Sequence, residues 1–75
     1  MNNITVYTRT RCPYCTSAKI WLKQKDYQFE EIILDDKDVL QEFLSNNPTA
    51  RTVPQIFIED ELIGGFAELI KSKLA

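Results

Sequence analysis

Ile4-Thr5-Val6-Tyr7-Thr8-Arg9-Thr10-Arg11-Cys12-Pro13-Tyr14-Cys15-Thr16-Ser17-Ala18-Lys19-Ile20-Trp21-Leu22 changes periodicity part-way along its length. Residues 4–8 alternate around β-branched and aromatic side chains, which predicts a half-buried strand. From Pro13 to about Lys25 the spacing of Tyr14, Ala18, Trp21 and Leu22 is helical, with Trp21 and Leu22 as the expected core contacts. Proline suits a first helical turn because the donor it lacks would be unpaired there anyway. The only two cysteines of the chain sit at this junction, Cys12 at the helix start and Cys15 inside its first turn.

Working outward, Phe29 to Leu34 reads as a second strand. The aspartates Asp35 and Asp36 can cap a helix whose apolar stripe is Val39, Leu40, Phe43 and Leu44, and Asn46-Asn47-Pro48 stops it. Strand, helix and strand within roughly thirty residues require parallel pairing and a right-handed crossover. Gln55 to Glu59 is a third strand and Leu62-Ile63 a short fourth. The tight turn Glu59-Asp60-Glu61 between them makes an antiparallel hairpin. Gly64-Gly65 leads into a last helix with Phe66, Leu69 and Ile70 on its buried side and Lys71 and Lys73 near its end. The order β-α-β-α-β-β-α describes an α/β fold, a small mixed sheet covered by helices, as one domain over residues 1–75.

A chain of 75 residues lies near the lower limit for folding without a staple, and its 44% apolar content is enough for a compact core. No stretch approaches the roughly 20 apolar residues of a membrane span. The polar start Met1-Asn2-Asn3 lacks a signal pattern, so the expected location is cytoplasmic. The net charge of -2 is unevenly placed. Arg9, Arg11, Lys19, Lys23 and Lys25 precede any acid, whereas Asp26, Glu30, Glu31, Asp35, Asp36, Asp38 and Glu42 face only Lys37. The thiols therefore fall in the positive part of the sequence, where thiolate and anionic partners are favoured. Solvated helix faces are the plainer account of the lysines.

Two cysteines three positions apart close too short a loop to stabilise a domain, so their bond is chemistry rather than scaffolding. In a reducing compartment this spacing reads as redox-active or metal-binding. There is no histidine, and tetrahedral zinc would need ligands from a second subunit or from outside thiols. A cluster shared between two chains is the other metal reading. For redox chemistry, Cys12 at the helix start is the expected nucleophile, its sulfur facing unpaired first-turn amides. Cys15, deeper in the turn, is the expected resolving thiol. Tyr14 either packs against a bound thiol or is ordinary surface. Before the third strand, Thr52-Val53-Pro54 is either a plain trans turn or a cis turn that presents the Val53 backbone to an extended peptide, with Arg51 beside it for a carboxylate. Gly64-Gly65 is either a simple loop or a place where backbone N–H groups approach a ligand.

Taken together, Cys12-Pro13-Tyr14-Cys15, Thr52-Val53-Pro54-Gln55-Ile56-Phe57-Ile58 and Gly64-Gly65-Phe66 resemble the small dithiol glutaredoxins of bacterial or phage type, over essentially the whole chain. The resemblance implies a minimal thioredoxin fold, a four-stranded mixed sheet flanked by three helices, with Pro54 cis. It also implies a glutathione-disulfide oxidoreductase that reduces protein disulfides and glutathione mixed disulfides, ribonucleotide reductase among its potential partners. By position, Cys12 and Cys15 are the catalytic pair, and Tyr14, Thr52, Val53, Pro54, Gly64, Gly65, Phe66 and Ala67 line the glutathione groove. Arg51 and Arg11 meet the glycyl carboxylate. Glutathione is the co-substrate and no cofactor is tightly held. The expected state is a monomer without nucleic-acid or membrane partners. Two departures stand out: Arg9 and Arg11 replace the family's usual lysine, and Ala67 stands where an aspartate is expected, with Glu68 one residue late and about 100° around a helix. Weaker glutathione binding is the expected result. Recycling by thioredoxin reductase and a glutathione-ligated iron-sulfur dimer are the alternative readings.

Overall fold

The computed structural model describes residues 3–50 and 52–74. Its elements are β1 (Ile4–Thr8), α1 (Pro13–Gln24), β2 (Glu30–Ile33), α2 (Lys37–Asn46), β3 (Gln55–Ile58), β4 (Glu61–Gly64) and α3 (Phe66–Leu69). They form one four-stranded sheet in the order β2-β1-β3-β4. β1 pairs parallel with β2, Val6 opposite Glu31, and antiparallel with β3, Val6 opposite Ile56. The β3–β4 pair is an antiparallel hairpin. Glu59 and Asp60 at its tip both have positive φ, 53° and 64°, as a two-residue turn matched to the strand twist requires. This is the thioredoxin-type order expected from the sequence.

The alternation of β1 decides which layer each side chain joins. Ile4 and Val6 turn to the face where Ala18 and Leu22 of α1, Ile56 and Ile58 of β3, Leu69 and Leu74 form the main core. Tyr7 turns the other way, where Phe43 of α2 stacks on it at 4.4 Å and Phe57 meets it edge-on at 5.5 Å. Trp21 packs against the main core only in part.

The α2 stripe is covered unevenly, and the buried side expected of the last helix needs correction. Of the α2 stripe only Phe43 is buried, and Val39 is 38% exposed, because a single ten-residue helix covers that face. The last helix is one turn, and Ile70 is 41% exposed rather than inward. The core position falls instead to Leu74, brought back by bends after Leu69 and held where the Tyr27 hydroxyl donates to its carbonyl at 3.0 Å.

Leu22 is fully buried between the sheet and α3. Leu22→Ala is expected to lower unfolding free energy by about 2 to 5 kcal/mol, measured by urea denaturation.

Candidate active site

Cys12 occupies the N-cap of α1 with extended backbone, φ -114° and ψ 101°. Its sulfur accepts from the Cys15 N–H at 3.1 Å, so a side-chain sulfur does the work usually done by a serine or aspartate oxygen. The two cysteines are joined in a disulfide, with Cα atoms 5.2 Å apart. Cys12 is half-buried, and Cys15 behind it is 2% exposed.

The approach to this cap is a tight loop. Arg11 adopts φ 62°, in the left-handed region, and so turns the chain into the helix. Thr10 is fastened to Asp35 twice, through its N–H at 3.1 Å and through its hydroxyl. Asp36, next in sequence, caps α2 through the N–H groups of Asp38 and Val39 at 2.8 and 3.2 Å. The Asp35-Asp36 pair thus divides its work, one acid capping a helix and the other tying down the cysteine loop. The two Thr10 bonds, with Arg9 at 3.9 Å adding a smaller pull, hold the Asp35 carboxyl below the usual carboxylate range.

On the other side of Cys12, the Val53–Pro54 bond is cis and the Val53 carbonyl lies 3.7 Å from the Cys12 sulfur. In the reduced protein that carbonyl would accept from a thiol and repel a thiolate. The Cys15 N–H lies closer, and its bond gains strength with charge, so the cap is the stronger influence on the anion. Gln55 closes the loop, donating from its amide nitrogen to the Thr52 carbonyl at 2.7 Å.

Gly64 and Gly65 complete this flank. A bulge between β3 and β4 re-aims the strand end at Gly64, whose φ is 118° and whose added Cβ would fall 2.8 Å from Glu68 side-chain atoms. At Gly65 an added Cβ would sit 3.4 Å from the Pro54 carbonyl, so the two loops pack backbone to backbone. The Gly65 N–H is already engaged, donating to the Glu68 carboxylate at 2.7 Å. Tyr14 is 67% exposed, its ring 6.5 Å from that of Phe66, and the two frame this side of the disulfide. Ala67 is exposed.

Arg51 lies outside the described residues. Arg11 does not join the Val53 side but lines a cavity of about 540 Å³ between α1 and β2, with Cys12, Cys15, Lys19, Glu31 and Ile33. Arg9 borders this cavity and also a second one of about 320 Å³ that reaches Thr52 and Val53. Among the described residues it is the cation that shares a cavity with the proline loop, a placement that the strand-to-loop position of Arg9 did not announce.

The positive field read from the sequence is smaller in space. Lys19 pairs with Glu31 at 2.9 Å and Arg9 with Asp35, since parallel pairing of β1 and β2 brings both strand ends to the cysteines. Glu31 also accepts from the buried Thr8 hydroxyl at 2.8 Å. The Lys19 bond is the main cause holding its carboxyl below the ordinary range, with burial opposing and Thr8 assisting. Among the described residues, no group of three or more His, Cys, Asp or Glu is placed to hold a metal ion, and no helix is long and apolar enough to cross a membrane.

The sequence profile of the family described as glutaredoxin matches residues 4–63. The chain belongs to the glutaredoxin family. Glutaredoxin 3 of Escherichia coli (strain K12) is 39% identical over 69 residues, covering 92% of this chain and 83% of that protein. Among solved structures, glutaredoxin 1 of Francisella tularensis complexed with cacodylate superposes with TM-score 0.83 at 40% identity, covering 95% of this chain and 91% of that one. A buckwheat glutaredoxin–glutathione complex gives TM-score 0.79 at 32% identity, covering 93% and 66%. With its Cys12–Cys15 pair, this glutaredoxin is a dithiol thiol–disulfide oxidoreductase dependent on glutathione.

Because the Glu31 carboxyl is depressed in the folded state, its contribution to stability is complete above its ordinary range and is lost as pH falls through the folded value. Glu31→Gln is expected to flatten the acid limb of urea-denaturation midpoints between about pH 5 and pH 3 relative to the parent protein.

Proposed function

We propose that Cys12 attacks protein disulfides and glutathione mixed disulfides, that Cys15 resolves the protein adduct, and that glutathione lies along the Val53 flank. The observation that carries this reading is the sulfur of Cys12, set between the Cys15 N–H and the Val53 carbonyl with Cys15 buried behind it. The Cys12 thiolate displaces one sulfur of the substrate, which departs as thiolate and takes a proton from water. A protein still joined to Cys12 is released when the Cys15 thiolate displaces it, forming the Cys12–Cys15 disulfide. Glutathione left on Cys12 is removed by a second glutathione, which leaves as glutathione disulfide.

In this proposal the Val53 backbone pairs with the cysteinyl residue of glutathione as a strand edge does, and Thr52 and Pro54 shape that edge. Tyr14 and Phe66 flank the ligand's apolar atoms. The γ-glutamyl end lies over Gly64 to Ala67, where Glu68 has already taken the Gly65 N–H, leaving the amides of Phe66 and Ala67 for a carboxylate. Arg9, on the Thr52–Val53 side, meets the glycyl carboxylate together with Arg51. Ribonucleotide reductase is the protein substrate that the family resemblance brings forward, and the protein acts as a monomer in the cytoplasm.

Cys15→Ser is expected to retain deglutathionylation and lose most activity on protein disulfides, whereas Cys12→Ser loses both. Steady-state assays on the two substrate types check this, and activity surviving in C12S would sink the assignment. Supplying glutathione or thioredoxin reductase as the electron source in one coupled assay should show turnover with glutathione. Ala67→Asp adds the carboxylate that a ligand ammonium needs and is expected to lower the KM for glutathione about fivefold, read from the same assay.

A further inference from the structure

The cavity between α1 and β2 is lined by both cysteines, yet neither Val53, Tyr14 nor Phe66 belongs to it. The disulfide therefore has a second flank, unused by the glutathione reading above. Three cations border it: Lys19 is paired with Glu31, and Arg9, which the glutathione reading also uses from its Val53 side, lies 3.9 Å from Asp35. Arg11 is exposed and, among the described residues, has no acidic partner. Its φ of 62° lies in the left-handed region that non-glycine residues seldom adopt, and this backbone sets it directly before Cys12. The rim opposite α1 carries Ile33, 52% exposed at the free edge of the sheet.

We propose that this cavity receives the polypeptide substrate on the far side of its bonded cysteine, and that Arg11 is a specificity-determining residue selecting an acidic side chain there. The proposal rests on Cys12 being the nucleophile. When the Cys12 thiolate bonds to a substrate sulfur, the substrate S–S bond breaks and the second sulfur leaves as thiolate, protonated by water. The substrate chain is then tied to Cys12. With one side paired to Val53, an extended chain advancing roughly 3.3 Å per residue carries its next side chain past the sulfur toward Arg11. A carboxylate there meets the unmatched guanidinium, and Ile33 offers apolar contact to the residue beyond. A lysine at the same place meets a cavity whose net charge is already positive.

The test uses the full chain and two disulfide-looped peptides that differ only in the residue next to the attacked cysteine, aspartate or lysine. They compete for turnover with glutathione as reductant. The aspartate peptide is expected to have the higher kcat/KM by about five- to tenfold at low salt, the ratio shrinking as salt is raised. Arg11→Gln should bring the ratio to near one, Arg11→Glu should invert it, and Arg11→Lys should keep most of it. A ratio near one in the parent protein, or a ratio unmoved by R11Q and R11E, overturns the proposal while leaving the nucleophile assignment intact. Loss of turnover on both peptides in the parent protein overturns the assignment and the proposal together.

Discussion

The backbone N–H of Cys15 aimed at the sulfur of Cys12 is the constraint on which the site depends. A sulfur can cap a helix only if the helix begins one residue later, and Pro13 in the first turn begins it there. The cap also requires the chain to swing sharply out of β1, which Arg11 accomplishes in a left-handed conformation and the two Thr10–Asp35 bonds hold in place. The cap fixes the Cys15 amide on the Cys12 sulfur, while the Cys15 side chain is turned inward, 2% exposed, and so kept from disulfides in solution. The helix start thereby carries one accessible cysteine and one protected one.

Much of this was legible in the chain because the signals are local. The change from period two to helical period across Thr8 and Pro13, the Asp36 cap and the tight hairpin turn each depend on a few neighbouring residues; the first two are present where the pattern placed them, and the turn is one residue shorter than Glu59-Asp60-Glu61 because Glu61 already opens β4. What escaped depends on distance in sequence. The run of basic residues before Asp26 suggested a positive site, but Glu31 and Asp35 lie across the parallel β1–β2 pair and return two carboxylates to the same end of the sheet. Ile70 fits a helical stripe only if the helix continues, and α3 stops after one turn. Arg9 and Arg11 look equivalent on either side of Thr10, yet Arg11 lines only the cavity beside α1, while Arg9 borders that cavity and also the one that includes Val53.

The glycine pair shows how a family pattern and its local physics can part company. A carboxylate is present near the expected place, but Glu68 folds back onto the Gly65 N–H instead of facing outward. That capping interaction stabilises the start of a very short helix, where tertiary packing of Leu69 supplies most of the rest. In the proposed placement of glutathione, the side chain that closes the turn is thereby withdrawn from holding the ligand's ammonium group, and Ala67 has no polar side-chain atom to take over.

The conformation of Arg11 also narrows which residues fit next to Cys12. Valine, isoleucine and threonine are sterically penalised at a φ of 62°, whereas glycine, asparagine and aspartate accept it. The peptide backbone thus favours small or amide-bearing residues at this site, and a long cation occupies it without that conformational advantage.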